Sequence, residues 1–378
     1  MTFPHGAVKP PPSHSPQIGV CMKRITIIST YRNRGTKNIG DRLITQSLVS
    51  LIEDNFGDSV SVEVVFRAAT WDEVQEVVEG ADHIIFACLP IRSELGVRVY
   101  PYLREVIASG VSYSILAAGT DLPVKDNVPL GGGIDEESND LLRELGARAS
   151  VFSTRGLLTQ RFCRQIGIES SEYQGDVAFY APAKYGSEFV SDTTVRSIVI
   201  SDPHRPEKYL RSLSVLIEGL KIEFPSASVV VALHGVNDIV RDYCLANDVE
   251  INAIHQDPEN GLSIYEDCDL HVGYRVHGHV SALKNRIPSY LMEQDGRGAD
   301  YGLSLSRKVS VPHFLQHFPS PDGEKLPLDA SISAPQQILG MISQDVIDGF
   351  LRFQGFEIEL EAISRRAEKT VRAIVHSL

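Results

Sequence analysis

The sequence predicts an α/β protein of two doubly wound domains that face each other across a cleft. Three observations carry this reading. Short apolar segments alternate with amphipathic helical segments along most of the chain, the pattern of a parallel sheet covered on both faces by crossover helices. The alternation stops in a polar segment, Pro182–Thr194 (PAKYGSEFVSDTT), and then restarts. Finally, 378 residues exceed what one core usually organises, so two domains of roughly 150 to 200 residues are expected.

Taken in order, residues 1–20 form a Pro-, Ser- and His-rich stretch with no hydrophobic period, read as a disordered tail. The first domain is expected over 21–185. Its first strand is Arg24–Ser29, and Asp41–Asn55 carries Leu43, Ile44, Leu48, Val49, Leu51 and Ile52 at helical spacing. Further strands are expected at Val62–Phe66, His83–Cys88, Ser112–Ala117 and Ser150–Ser153, separated by helices at Trp71–Val78, Val97–Ser109, Glu136–Leu145 and Leu157–Ile166. The second domain is expected over 195–330, with strands at Arg196–Ser201 and Ser228–Leu233 and helices at Glu207–Phe224 and Asp238–Ala246. The segment Asp269–Gly302 then reads as a strand, a turn, a helix and a strand opened by Pro288. Residues 331–378 contain two helices, Pro335–Phe353 and Ile358–His376, expected to pack back across the domains.

Composition narrows the function classes. A net charge of −13 argues against general affinity for nucleic acid or anionic membranes, which requires a long-range positive field. Five cysteines (Cys21, Cys88, Cys163, Cys244, Cys268) are scattered singly with no CxxC pair, as expected in a reducing compartment, so a cytoplasmic location is predicted. No apolar run reaches the roughly 20 residues of a bilayer span, and no signal-peptide pattern is expected at the N-terminus. Any anionic ligand must therefore be held by a local cluster of Arg and His.

Open α/β sheets bind ligands at the C-terminal ends of their strands, so polar residues there are the candidates. Asn38 and Asp41, in RGTKNIGD, open the first helix beside Gly35 and Gly40 and serve either a phosphate or only the helix cap. Arg155 stands where a strand meets a helix, and Asp176 marks a tight turn in QGDVAF. His204 (with Arg205) and His234 (with Asp238) follow the first two strands of the second domain. Arg275 and His277, in DLHVGYRVHGHV, form the sharpest pair. Two residues apart on a helix point about 200° away from each other, so both meet one ligand only if Arg275 lies in the turn before the helix. His271 and His279 are read as structural.

These motifs resemble the polysaccharide pyruvyl transferases. Asn38-Ile39-Gly40-Asp41 is similar to that family's Asn-x-Gly-Asp element. The run SVFSTRGLLTQRFCRQIGIESSEYQGDVAFY, with Arg155 and Asp176, resembles a second motif, and Val272, Gly273, Arg275, His277 and Pro288 match a Val-Gly-x-Arg-x-His block followed by a strand opened by Pro. The resemblance implies two Rossmann-like domains in a glycosyltransferase-B-type fold. It also implies transfer of a pyruvyl group from phosphoenolpyruvate to sugar hydroxyls as a cyclic ketal in an envelope polysaccharide or exopolysaccharide precursor. No metal or other cofactor is implied; phosphoenolpyruvate is the co-substrate, and the acceptor is a lipid-linked or nucleotide-linked sugar, compatible with peripheral membrane association. On this resemblance His277 is the catalytic acid, Arg155, Arg275, His204 and His234 bind phosphoenolpyruvate, and Asn38, Asp41 and Asp176 bind the acceptor or order loops.

The chain departs from the family pattern in four places. The strand HIIFAC runs into LPIRSE instead of a Gly-rich turn. Gly156 follows Arg155 where members often carry an acidic residue, Val177 follows Asp176 where they carry Pro, and Arg297 lies near the position of a frequent Lys. Competing readings are a nucleotide-sugar glycosyltransferase of the same fold, a non-catalytic binding relative, and a metal hydrolase built on His234, His271, His277 and His279, the last lacking a carboxylate at ligand spacing.

Overall fold

The computed structural model describes residues 22–31, 38–122, 124, 133–189, 193–315 and 329–378. The N-terminal tail, Arg34–Lys37 of the first loop and residues 190–192 of the linker lie outside the described residues.

The first domain comprises β1 (Lys23–Ser29), α1 (Ile39–Phe56), β2 (Val60–Phe66), α2 (Trp71–Glu79), β3 (His83–Ala87), β4 (Pro90–Ile91), α3 (Leu103–Ser109), β5 (Tyr113–Thr120), α4 (Glu136–Arg148), β6 (Val151–Thr154), α5 (Leu157–Gln165) and β7 (Glu172–Tyr173). The second comprises β8 (Ser197–Ser201), α6 (Pro206–Glu223), β9 (Ser228–Ala232), α7 (Asp238–Ala246), β10 (Glu250–Asn252), β11 (Leu270–Gly273), α8 (Val276–Lys284), β12 (Ser289–Glu293), α9 (Gly296–Ser304) and β13 (Ser310–Pro312). The helices α10 (Ser333–Ile347) and α11 (Phe356–His376) close the chain.

Both sheets are parallel. The first runs β2-β1-β3-β5-β6-β7, with β4 added to β5. The second runs β10-β9-β8-β11-β12-β13, which is the doubly wound order 3-2-1-4-5-6 within that domain. The strand order therefore reverses between β1 and β3 in one domain and between β8 and β11 in the other. At such a reversal the crossovers leave on opposite faces and open a crevice at the strand C-termini. The central strands have no polar face: β3 and β5 are buried along their whole length, as a sheet covered on both sides requires.

Helix starts follow local chemistry. Asn38 caps α1 by accepting from the Gly40 N–H at 3.2 Å, and Thr70 with Glu73 forms a capping box on α2. The helix expected over Val97–Ser109 is broken. A π-helical turn covers Leu95–Val99, and α3 begins only at Leu103, because Pro101 lacks an N–H and pushes Tyr100 out of the helical region. The helix expected over Pro335–Phe353 ends at Ile347, where Gly349 and Phe350 adopt left-handed backbone (φ 68° and 55°).

α10 lies on α6 of the second domain, whereas α11 returns to the first, packing on α1 and on the turn Val177–Phe179. Phe356, Leu360 and Ile363 of α11 are fully buried, each contributing about 1.5–3 kcal/mol, and Thr370 bonds Gln174 across the junction at 2.9 Å. Among the described residues no helix is long and apolar enough to cross a membrane.

Candidate active site

The two crevices face each other and form one cleft. On the second-domain side, Gly273 permits the chain to pass directly over Ser201: a Cβ there would lie 2.3 Å from Ser201 Oγ. That hydroxyl accepts from the N–H groups of Tyr274 and Arg275, both at 3.1 Å, and so shapes the turn that follows β11. Arg275 is the N-cap of α8 in extended conformation, and His277 sits in the first helical turn.

The Arg275 guanidinium is gripped by Asp202. Its Nε donates to Oδ1 at 2.9 Å and its Nη2 to Oδ2 at 2.8 Å. Asp202 is wholly buried and also accepts from Asn237 Nδ2 (2.7 Å) and the His234 N–H (3.1 Å). Burial alone would raise its pKa; the adjacent Arg275 charge outweighs this and holds it below the ordinary value. Asp202 carries no local signal in SDPHRP, because its partner Arg275 lies 73 positions along the chain.

His277 is seated by both domains. A Cβ at Gly40 would come within 2.5 Å of its Nδ1, so the glycine of Asn-x-Gly-Asp is what lets α1 reach the imidazole. Its Nε2 lies 3.9 Å from Asp176 Oδ2 and has no hydrogen-bond partner among the described residues. Asp176 is fixed by accepting from the Ala178 N–H at 2.8 Å and from the Tyr301 hydroxyl. Desolvation lowers the His277 pKa to about 4; Asp176 opposes that shift, while Arg155 and Arg297 reinforce it.

Arg155 enters from the far wall. Its N–H donates to Ala118 O at 2.9 Å, and its side chain, buried, lies over Gly119, where a Cβ would be 2.2 Å from Nε. Two non-glycine residues beside this seat, Cys88 (φ 54°) and Ala117 (φ 58°), hold left-handed backbone, the local strain that accompanies functional sites. Cys88 follows β3, and its Sγ lies 3.4 Å from Arg155 Nη1. Asp300 of α9 lies 3.9 Å from Arg155 Nε. It accepts from the Thr159 N–H at 2.9 Å, and a Cβ at Gly156 would strike it at 2.2 Å. Asp300 thus ties the Arg155 side of the cleft to the second domain.

Arg155, Arg275, His277, Asn38, Asp41, His204 and His234 all line this one cleft. Asp176 stands behind His277. Asp41 is desolvated there and its pKa rises to about 6, against the lowering influence of Arg297 and Arg67. His234 is buried with Nε2 bonded to Tyr265 Oη at 2.6 Å, and burial lowers its pKa to about 3; it supports the wall with its ring already engaged. His204 is exposed at the rim; its N–H donates to Gln294 Oε1 and its carbonyl accepts from Gln294 Nε2, both at 2.9 Å. His271 and His279 share Ser289 Oγ at 2.7 and 2.6 Å in the core. Among the described residues no group of three or more His, Cys, Asp or Glu could hold a metal ion.

Three further arginines line the cleft that sequence reasoning did not assign: Arg67 after β2, Arg92 after β4 and Arg297 at the start of α9. Their common signal is an Arg just past a strand end, a weak one given how often Arg is on the surface.

A family model described as polysaccharide pyruvyl transferase matches residues 38–296. The chain belongs to the polysaccharide pyruvyl transferase family. No curated protein sequence matches it. Among solved structures it is similar to the UDP-GlcNAc 2-epimerase of Neisseria meningitidis bound to UDP-GlcNAc, at 10% identity and TM-score 0.56, covering 94% of this chain and 100% of that one. It is also similar to the S. aureus MnaA–UDP co-structure, at 11% identity and TM-score 0.54, covering 93% and 96%. At such identity the likeness concerns the fold, a two-domain Rossmann-like arrangement of the glycosyltransferase-B type, and the family assignment makes this a transferase of that architecture.

Proposed function

We propose that this family member transfers the pyruvyl group of phosphoenolpyruvate to two hydroxyls of one sugar, forming a cyclic ketal. The observation that carries the reading is that Arg155 from one domain and Arg275 and His277 from the other open onto the same cleft. Phosphoenolpyruvate presents a phosphate and a carboxylate, each suited to a forked guanidinium. Arg275 comes pre-aligned by Asp202, and Arg297 adds a third cation.

In this reading His277 donates a proton to the methylene carbon, leaving the central carbon electrophilic. A first sugar hydroxyl adds there, the bond from that carbon to the phosphate oxygen breaks, and a second hydroxyl closes the ketal. One hydroxyl proton replaces the proton given to the methyl group; the other leaves with phosphate. Asp176 orients the imidazole, and Asp41, a carboxyl of raised pKa in the cleft, takes a hydroxyl proton. The donor lies between Arg155 of the first domain and Arg275 of the second, with the sugar on the Asp41 side, toward the first domain.

The nucleotide-sugar ligands of the structural neighbours make a UDP-sugar the rival donor. Phosphate release from phosphoenolpyruvate in the presence of lipid-linked and nucleotide-linked sugars, set beside UDP release from UDP-sugars, separates the two. Phosphate release that disappears in His277→Gln supports the pyruvyl reading; UDP release alone sinks it.

A further inference from the structure

Two fully buried histidines of the second domain, His271 and His279, have no part in the reaction scheme, yet one of them reaches the turn that carries Arg275. In the parallel register His271 of β11 lies beside Ser289 of β12, and Gly273, two residues on, lies beside Ser201 of β8. Strand alternation therefore puts His271 and both serines on one face of the sheet. His271 Nδ1 lies 2.7 Å from Ser289 Oγ, and its Nε2 lies 3.1 Å from Ser201 Oγ. Gly278 lets α8 close over this ring, since a Cβ there would already be 3.3 Å from Nε2. Tyr265 meets the ring edge-on, with centroids 5.1 Å apart.

Counting assigns the protons. A serine hydroxyl has one proton and two lone pairs. Ser201 Oγ accepts from the N–H groups of Tyr274 and Arg275, which occupies both lone pairs. Its remaining hydrogen-bond partner among the described residues is His271 Nε2, so the hydroxyl proton points there and Nε2 carries none. Burial holds the pKa of His271 well below its ordinary value and keeps the ring neutral. Its one proton is thus on Nδ1, donated to Ser289 Oγ. The Ser289 proton in turn goes to His279 Nδ1, 2.6 Å away. The His279 proton is left on Nε2, which has no hydrogen-bond partner among the described residues.

We propose that His271 is a positioning residue for Arg275: its Nδ1–H tautomer takes up the Ser201 hydroxyl proton and leaves both lone pairs of that oxygen to the turn before α8. This rests on the reading in which Arg275 binds the donor, and adds to it a residue that never touches the donor. A ring protonated at Nε2 would confront Ser201 with a third donor, and one backbone N–H of the turn would lose its acceptor. Arg275 would keep its pairing with Asp202 but lose the fixed backbone from which its side chain starts.

Long-range proton–nitrogen correlation spectra of the full chain with isotope-labelled histidine rings read the tautomer, the His271 signal being the one absent from His271→Gln. A protonated Nδ1 and a bare Nε2 are expected; the opposite tautomer overturns the proposal. In kinetics, His271→Asn keeps a polar group near Ser289 but is too short to reach Ser201. It should raise the donor KM about fivefold or more, the worth of one buried hydrogen bond, with a smaller effect on kcat. His271→Gln, long enough for its side-chain oxygen to accept from Ser201, should recover most of that loss. Ser201→Ala should match His271→Asn, and the double variant should be no worse than either, because both act through one oxygen. His279→Gln, at the far end of the chain of bonds, controls for a merely structural role: it should lower the urea midpoint and leave the donor KM unchanged. Equal KM effects in His271→Asn and His279→Gln, or additive effects of Ser201→Ala and His271→Asn, overturn the proposal. Amide hydrogen exchange needs no donor and so separates this proposal from the donor reading. The Tyr274 and Arg275 amides should exchange faster in His271→Asn than in the wild type, while the β12 amides keep their protection. If phosphoenolpyruvate does not bind the wild type, the donor reading falls and the exchange result decides alone; unchanged protection at both amides overturns the proposal.

Discussion

His277 yields the most demanding prediction, because burial in the cleft disfavours its protonated form. Desolvation, reinforced by Arg155 and Arg297, lowers its pKa to about 4, yet its proposed task is to give up a proton near neutral pH. The donor must therefore bring its pKa from about 4 to about 7. At about 1.36 kcal/mol per pH unit this requires about 4 kcal/mol of interaction between the donor and the imidazolium. One negative charge about 4 Å away at an effective dielectric constant of about 20 supplies about 4 kcal/mol, so a single phosphate or carboxylate charge suffices. The sign follows from linkage: the complex holds a proton that the free protein lacks, so donor affinity falls as pH rises between about 5 and 7, by up to about tenfold per pH unit. Calorimetry in buffers of different ionisation enthalpy should show proton uptake approaching one per donor in the wild type, in excess of that in His277→Gln. The donor's own phosphate titration contributes to both proteins and cancels in the difference. Equal uptake and equal pH dependence in the two proteins would refute the role.

Other outcomes follow from the same contacts. Asp202→Asn removes the charge that aligns Arg275, so the donor KM should rise roughly 10- to 100-fold, corresponding to about 1.5–3 kcal/mol for a charge-assisted bond; steady-state kinetics with unchanged far-UV circular dichroism checks it. Gly119→Ala places a methyl 2.2 Å from Arg155 Nε and should weaken donor binding at least tenfold, with a stability loss of about 1–3 kcal/mol from overpacking. Acid should destabilise the fold through its buried histidines. Burial depresses the pKa values of His83, His277 and His313 to about 4 and of His234 and His279 to about 3. The unfolded chain then binds more protons below its ordinary histidine pKa of about 6.5, and the stability contribution of these groups is lost as pH falls from there toward 3. Urea midpoints measured from pH 7 to pH 4 read this directly, and a midpoint that does not fall would contradict it.

Much of this site was legible because its geometry is local. Gly273, Arg275 and His277 lie within five residues, and helical geometry alone required Arg275 to precede the helix, where it is found as N-cap. The sheets were legible for the same reason, since buried parallel strands are continuous apolar runs such as SVVVA. What escaped depends on long-range partners. Asp202 acts on a residue 73 positions away. The helix α9 reads GRGADYGLS, with three glycines that are poor helix formers, yet it carries Arg297 into the cleft and Asp300 and Tyr301 across to the first domain. Its glycines have packing reasons invisible in sequence: a Cβ at Gly298 or Gly302 would strike Glu293 at 2.7 or 2.1 Å. Cys88 escaped because left-handed backbone at a non-glycine residue has no compositional signal. The break between Val99 and Leu103, by contrast, has a local sequence cause in Pro101.

The most direct measurement is a calorimetric titration of phosphoenolpyruvate into the wild type, Arg155→Gln and Arg275→Gln. A donor site shared between the domains predicts one-to-one binding that weakens at least tenfold in each variant, since each arginine comes from a different side of the cleft. Binding unaffected by either substitution, or no binding of phosphoenolpyruvate by a protein that binds UDP-sugars, would contradict it.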